Sequence, residues 1–177
     1  STLHALDKNA KYKDMALFSN DNTYDPSICV SITQSGQPKL GLRPKDWYCR
    51  SYNLLFNKVN VFSDEPVHMA ITLDHSNKAA RCYINGKLKQ TILIPKDARK
   101  TFVPNFEYVV GGDLRSANPN YFRGELYSLG VWSDLRSTIE VGADYYAGVD
   151  TTDSRMMAYY DFGLCDSCMT ENLSATE

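Results

Sequence analysis

The stretch VHMAITLDHSNKAARCYINGKLKQT, residues 67–91, decides the architecture. Val67, Met69, Ile71 and Leu73 alternate with His68, Ala70 and Thr72, the period of two that belongs to a strand with two unlike faces. Asp74-His75-Ser76-Asn77 is a turn, because short polar side chains there hydrogen-bond their own backbone. Ala80 to Ile84 is a second strand. Asn85-Gly86 is the pair that best tolerates positive φ at both positions of a two-residue type I′ turn, and Leu88 to Ile94 returns. Connections this short join only antiparallel neighbours, since a parallel pair needs a crossover.

Working outward, the same punctuation recurs. Met15 to Phe18 is a short apolar run closed by Ser19-Asn20-Asp21-Asn22. Ile28 to Thr33 points Ile28, Val30 and Ile32 one way. Gln34-Ser35-Gly36-Gln37 is a hairpin loop, and Lys39 to Arg43 pairs back with Leu40 and Leu42 inward. Trp47 to Phe56 reads as strand or loop. On the other side, Arg99 to Asn105 reads as a loop, and Tyr108 to Val110 as a short strand ending in Gly111-Gly112. A polar loop runs from Asp113 to Asn120. Phe122 to Trp132 reads as one strand. Its apolar residues Leu126, Leu129 and Val131 step by three and then two, which a β-bulge explains. Ser137 to Tyr145 predicts one short helix, capped by Ser137 or Thr138 with Glu140 nearby. Met156 to Phe162 is a last strand. The polar tail after Gly163 is expected to fray. No helical apolar stripe runs beyond about three turns, which excludes an all-α fold, and no repeat is present. The pattern predicts an all-β protein, an antiparallel two-sheet β-sandwich of jelly-roll type, over residues 1–163, with 164–177 as a polar tail.

The 177 residues fit one domain, which should bury about 70% of its unfolded surface. Nineteen basic against 21 acidic residues give a net charge of −2, without the basic excess or stripe of a nucleic-acid binder. No apolar run approaches the roughly 20 residues of a membrane span. Five cysteines (Cys29, Cys49, Cys82, Cys165, Cys168) leave at least one thiol unpaired within the chain. Either two bridges form in an oxidising place or all five are small buried hydrophobes. Cys165 and Cys168 form a lone Cys-x-x-Cys without the second pair of a four-Cys zinc site. The favoured reading there is a disulfide or idle thiols. Asn172-Leu173-Ser174 fits a glycosylation sequon, a triplet common by chance.

A second stretch, YVVGGDLRSANPNYFRGELYSLGVWSDLRSTIEV from Tyr108 to Val141, carries further motifs. His68-Met69-Ala70-Ile71-Thr72, Tyr83-Ile84-Asn85-Gly86-Lys87, Val109-Val110-Gly111-Gly112-Asp113 and Phe122-Arg123-Gly124-Glu125-Leu126 follow one another in order. Together they resemble the concanavalin A-like lectin superfamily, in its laminin G-like jelly-roll branch. The resemblance implies the fold far more than the function, because these positions are mostly turn and core. Two departures stand out. Pro66 and Val67 occupy the place where the family usually has Trp, and the opening Phe-Asp-Gly strand is missing. Met157-Ala158-Tyr159-Tyr160-Asp161-Phe162 looks like such a terminal strand at the other end. These departures imply a chain trimmed, processed or permuted, lacking its first strands and exposing an edge unless something covers it.

Candidate site residues cluster in two places. Asp113 heads a rim loop with Arg115, Asn118, Asn120 and Tyr121, a set of groups suited to sugar hydroxyls or, through Asp113, to Ca²⁺. The plain alternative is a turn cap on a solvated loop. Trp47 lies in a polar stretch where an exposed aromatic would stack on a pyranose face, its alternative being core packing. Trp132 reads as core or core edge, and His68 as a hydrogen-bonded structural histidine. Nothing flags a Ser-His-Asp set at His4 or His75, and no Gly-x-Ser-x-Gly elbow occurs.

The resemblance implies a non-catalytic carbohydrate-binding module of a larger secreted or cell-surface protein. Its partners would be a glycan or glycoprotein, and the rest of a larger polypeptide or a second chain. The alternative is a protein-binding or structural adhesion module of the same fold. A glycoside hydrolase is disfavoured: it needs paired carboxylates, which related enzymes place as Glu-x-Asp-x-x-Glu. That string is absent, and at Glu125-Leu126-Tyr127 a Tyr stands where Asp should be. The expectation is no catalysis by this domain, though attachment to an enzyme is compatible with it.

Overall fold

The computed structural model describes residues 14–19, 28–42, 52–96, 98, 108–112 and 121–163. Its elements follow in chain order as β1 (Asp14–Ser19), β2 (Ile28–Thr33), β3 (Pro38–Leu42), β4 (Tyr52–Leu55), β5 (Met69–Asp74), β6 (Ala79–Ile84), β7 (Lys87–Leu93), β8 (Val109–Val110), β9 (Ser128–Trp132), α1 (Thr138–Ala147) and β10 (Met156–Asp161). One antiparallel sheet has the order β4-β3-β2-β1-β8. A second is β5-β6-β7, and β9 pairs with β10. This is the jelly-roll sandwich that the strand pattern predicts.

Alternation decides what each sheet buries. In the five-stranded sheet Met15 pairs with Ile32, Val30 with Leu40 and Leu54, and Ile28 with Leu42. Residues directly opposite share a face, so these side chains form one apolar face. It meets Ala80, Cys82 and the half-buried Met69, Ile71 and Leu73 of the second sheet, with Phe56, Val59, Val61 and Ile94 filling in. Leu40, Phe56, Ala80 and Cys82 are 0% exposed. Burial pushes the Cys82 thiol up to about 12, so it packs as a small hydrophobe.

The Asn85-Gly86 turn has φ of 51° and 72°, as the sequence requires. It does more than reverse the chain. The Asn85 amide donates to the His68 carbonyl at 2.8 Å, and the Asn85 side-chain oxygen accepts from the His68 N–H at 3.0 Å. α1 then packs on the outer side of β5-β6-β7. Val141 is its buried residue, and Thr138, Gly142 and Tyr145 flank it on the face toward the sheet, spaced as one helical face requires. Thr138 Oγ1 lies 3.2 Å from the buried Tyr83 hydroxyl, and Gly142 meets the Gly86 backbone. Ser137 opens the helix with a capping box: its Oγ accepts from the Glu140 N–H at 3.2 Å, and Glu140 Oε2 accepts from the Ser137 N–H at 2.7 Å.

Two expectations need correcting. Phe122 to Trp132 is not one strand: pairing begins at Ser128, because Gly124 takes φ 153°, a conformation that L side chains rarely adopt and that breaks the extended run. The bulge lies in β10, between Met156 and Ala158, rather than between Leu126 and Leu129. His68 is hydrogen-bonded through its backbone, whereas its ring Nδ1 is buried and without a partner among the described residues. Trp132 sits at the core edge, half-buried, with the Arg136 guanidinium 3.8 Å over its ring.

Candidate functional site

The outer face of the five-stranded sheet differs from its core face. Pairing runs Ala16–Ser31–Lys39–Leu55 in one row and Ser19–Cys29–Gly41–Asn53 in the next. The β1 and β2 positions of these rows are small and buried: Ala16, Ser19, Cys29 and Ser31 are 1%, 0%, 8% and 3% exposed. An added Cβ at Gly41 would meet Cys29 Cβ at 3.5 Å, an ordinary contact, so Gly41 is packed between Cys29 and Asn53 without strain. Lys39 reaches across β2 to pair with Asp14, passing the row that holds Ser31. The Ser31 hydroxyl is buried, with no hydrogen-bond partner among the described residues. Asn53 and Leu55 stand exposed at the far edge.

Tyr121 closes the near edge. It forms a parallel bridge with Ala16, extending the Ser31 row, and is 64% exposed. Its ring lies against Gly112, where a Cβ would sit 3.4 Å from the ring. Gly112 is itself held by the Ser19 hydroxyl, which donates to its carbonyl at 3.1 Å. Gly111, with φ 74°, donates to the Leu17 carbonyl and accepts from the Phe122 N–H at 2.9 Å. Phe18 stacks on Tyr108 behind this edge, with centroids 5.2 Å apart. The exposed Tyr121 ring thus has a fixed backing. Four strand spacings separate it from β4, about 19 Å at ~4.8 Å each.

Of the residues singled out in the sequence, Tyr121 is on this face. Asp113, Arg115, Asn118, Asn120 and Trp47 lie outside the described residues, as do Cys49, Cys165 and Cys168. The segment carrying the first four leaves at Gly112 and returns at Tyr121, beside β1. The segment with Trp47 leaves after Leu42 and returns before Tyr52. Ser31, Lys39, Gly41 and Asn53 were not legible as a site, since each alone is an ordinary outward residue. Only the register puts them in adjoining rows.

The remaining charge clusters are structural. Arg136, 8% exposed, donates to Asp144 (3.2 and 2.5 Å) and Asp153 (2.9 Å). Arg155 donates to Glu140 (2.6 Å) and Asp153 (2.7 Å). Hydrogen bonds from Ser137 and Arg155 hold Glu140 down at about 2, and those from Arg155 hold Asp153 lower still. These pairs tie α1 to the segments that join it to β9 and to β10. Glu125, the nearest thing to a hydrolase carboxylate, accepts from the Tyr127 hydroxyl at 2.8 Å and is exposed. Among the described residues no three His, Cys, Asp or Glu group together as a metal site.

A family model of the laminin G type, described as the concanavalin A-like lectin/glucanases superfamily, matches residues 7–142. The chain belongs to this superfamily. No curated protein matches it significantly. Among solved structures it is similar to a Bacteroides ovatus protein with a provisional carbohydrate-binding assignment, at 15% identity and TM-score 0.58, covering 90% of this chain and 48% of that one. It is also similar to the CBM40 module of a Ruminococcus gnavus sialidase, at 18% identity and TM-score 0.50, covering 76% of each chain. The same module bound to α2,6-sialyllactose matches at 20% identity and TM-score 0.46, over 64% of each chain. The chain thus spans about half of the Bacteroides protein and under two-thirds of the ligand-bound module. At such identities the likeness establishes the concanavalin A-like fold.

Proposed function

We propose that this superfamily member is a non-catalytic carbohydrate-binding module that takes a glycan on the outer face of its five-stranded sheet. The observation that carries the reading is the backed, exposed Tyr121 ring beside a floor of small and hydrogen-bonding residues. A pyranose has an apolar face that stacks on an aromatic ring and a polar rim that needs donors and acceptors. Tyr121 supplies the plate, and Lys39 and Asn53 the hydrogen bonds. The breadth of the face suits a short oligosaccharide. Arg115, Asn118, Asn120 and Trp47 belong to segments attached at its borders and are proposed as further contacts. A Ca²⁺ ion at Asp113 would need oxygens from several segments. Glycans and glycoproteins of this kind are met outside the cell or at its surface, as part of a larger polypeptide or beside a second chain, and that is the setting proposed. The absence of a Glu-x-Asp-x-x-Glu string from the sequence supports a role without catalysis.

A second reading, protein binding in adhesion, draws on the outward face of α1, where Ile139 is 84% and Tyr146 72% exposed. A glycan array separates the two. Discrete sugar hits that disappear in Tyr121→Ala are expected. Uniform silence from a folded wild-type protein would turn the assignment to protein binding. Adding chelator tests the Asp113 site in the same assay, since a required Ca²⁺ would take the hits away with it.

A further inference from the structure

His68 sits where three parts of the molecule meet: the residue entering β5, the Asn85-Gly86 turn, and α1. Its backbone is fixed by both hydrogen bonds to Asn85. Its ring lies against Tyr145 of α1, centroids 5.7 Å apart at 40°. Nδ1 is buried and has no partner among the described residues. Burial pushes the imidazole pKa down, while the Asp144 charge pulls it up by less.

The charged surroundings leave a protonated ring poorly served. From α1, Asp144 is the carboxylate whose field reaches it, but both Asp144 oxygens are held by Arg136. Tyr145 and the turn residues Asn85 and Gly86 bring no charge near neutrality, and Lys87, exposed after the turn, brings a like one. Behind Asp144, Glu140 and Asp153 are committed to Arg155 and Arg136, and both stay ionised well below pH 5. In this contact His68 is the group that gains charge as pH falls, and burial sets that gain below the ordinary imidazole range.

We propose that His68 is the catch of a pH-sensitive latch: its neutral ring holds α1 on the β5-β6-β7 sheet, and its protonation releases the helix. Protonation buries a cation without an acceptor. Relief comes either by drawing Asp144 away from Arg136 or by lifting Tyr145 so that water reaches the ring. Both loosen the same ten-residue helix, which is too short to persist in water without its packing. The other holds on α1 are Thr138 on Tyr83, Val141, Gly142 on Gly86, and the ion pairs of Asp144 with Arg136 and Glu140 with Arg155 at its outer side.

Amide hydrogen exchange at pH 7.5 and 5.0, corrected for intrinsic rates, tests the latch. The α1 amides should lose protection several-fold at the lower pH, linkage allowing at most about tenfold per pH unit for one proton. Those of β2 and β3 should keep theirs. His68→Phe should hold α1 protection level across the range, and His68→Gln serves if the Phe variant does not fold. In the wild-type protein, an NMR titration of the His68 ring should share its midpoint with the shift changes in α1. Unchanged α1 protection at pH 5, an equal loss in a folded His68 variant, or two separate midpoints would each overturn the proposal.

Discussion

Asp74 shows how a turn residue becomes a stability device. It ends β5 with its side chain buried, accepting from the Asn77 side chain at 2.8 Å, the Asn77 N–H at 2.9 Å and Arg81 at 3.0 Å. These bonds, the Asn77 side chain first, hold its carboxyl down at about 2. The folded pKa lies below the unfolded one near 3.9, so the ionised form stabilises the fold. That contribution is whole above about pH 4 and drains away as pH falls toward 2. Asp74→Asn should therefore flatten the acid limb of stability between those values, measured by urea unfolding at fixed pH. An equally steep limb in the variant would assign acid sensitivity to Glu140 and Asp153 instead. The turn itself was legible, because Asp-His-Ser-Asn between two strands has few other readings. The Arg81 bond was not, since it depends on Arg81 lying across from Thr72, two residues up the strand.

At the scale of elements, the contact between the β6–β7 turn and α1 joins two features that sequence reading treats separately. Gly86 needs its positive φ for the turn, and its Cβ position lies 3.2 Å from Gly142 Cα and from Tyr145. Gly86→Val is strained twice over, and should destabilise by more than about 2 kcal/mol in thermal or denaturant unfolding. Gly142→Ala is the control. Its Cβ would meet the Gly86 carbonyl at 3.7 Å, an ordinary contact, and Ala favours the helix, so stability should hold or rise slightly. If Gly86→Val melts like wild type, the turn tolerates side chains and the helix is not seated on it. The helix could be read from Ser137 and Glu140 because a capping box is local chemistry. The break at Gly124 could not: a glycine within an apolar pattern does not announce its φ, and the strand was drawn six residues too long (122–127).

At the scale of the whole molecule, one sheet is asked to do two things, and neighbouring residues of β3 divide the work. Leu40 points into the core and is 0% exposed, whereas Gly41 opens onto the outer face between Cys29 and Asn53. The alternation of Leu40 and Leu42 made the core face legible from sequence. The outer face was hidden, because it exists only once four strands are in register, and polar or small residues in a strand otherwise read as plain solvent exposure. The division predicts opposite outcomes for adjacent substitutions. Leu40→Ala removes a fully buried side chain and should lower stability by about 2–5 kcal/mol, while the protein that remains folded binds glycan with unchanged affinity. Gly41→Leu places a branched side chain on the outer face, between Cys29 and Asn53. It should abolish glycan binding in the protein that remains folded, at a smaller cost in unfolding midpoint than Leu40→Ala. Calorimetric titration with a glycan found on the array, alongside thermal unfolding, reads both quantities. If Gly41→Leu binds as wild type does, the glycan does not lie across β3, and the Tyr121 edge must bind it alone.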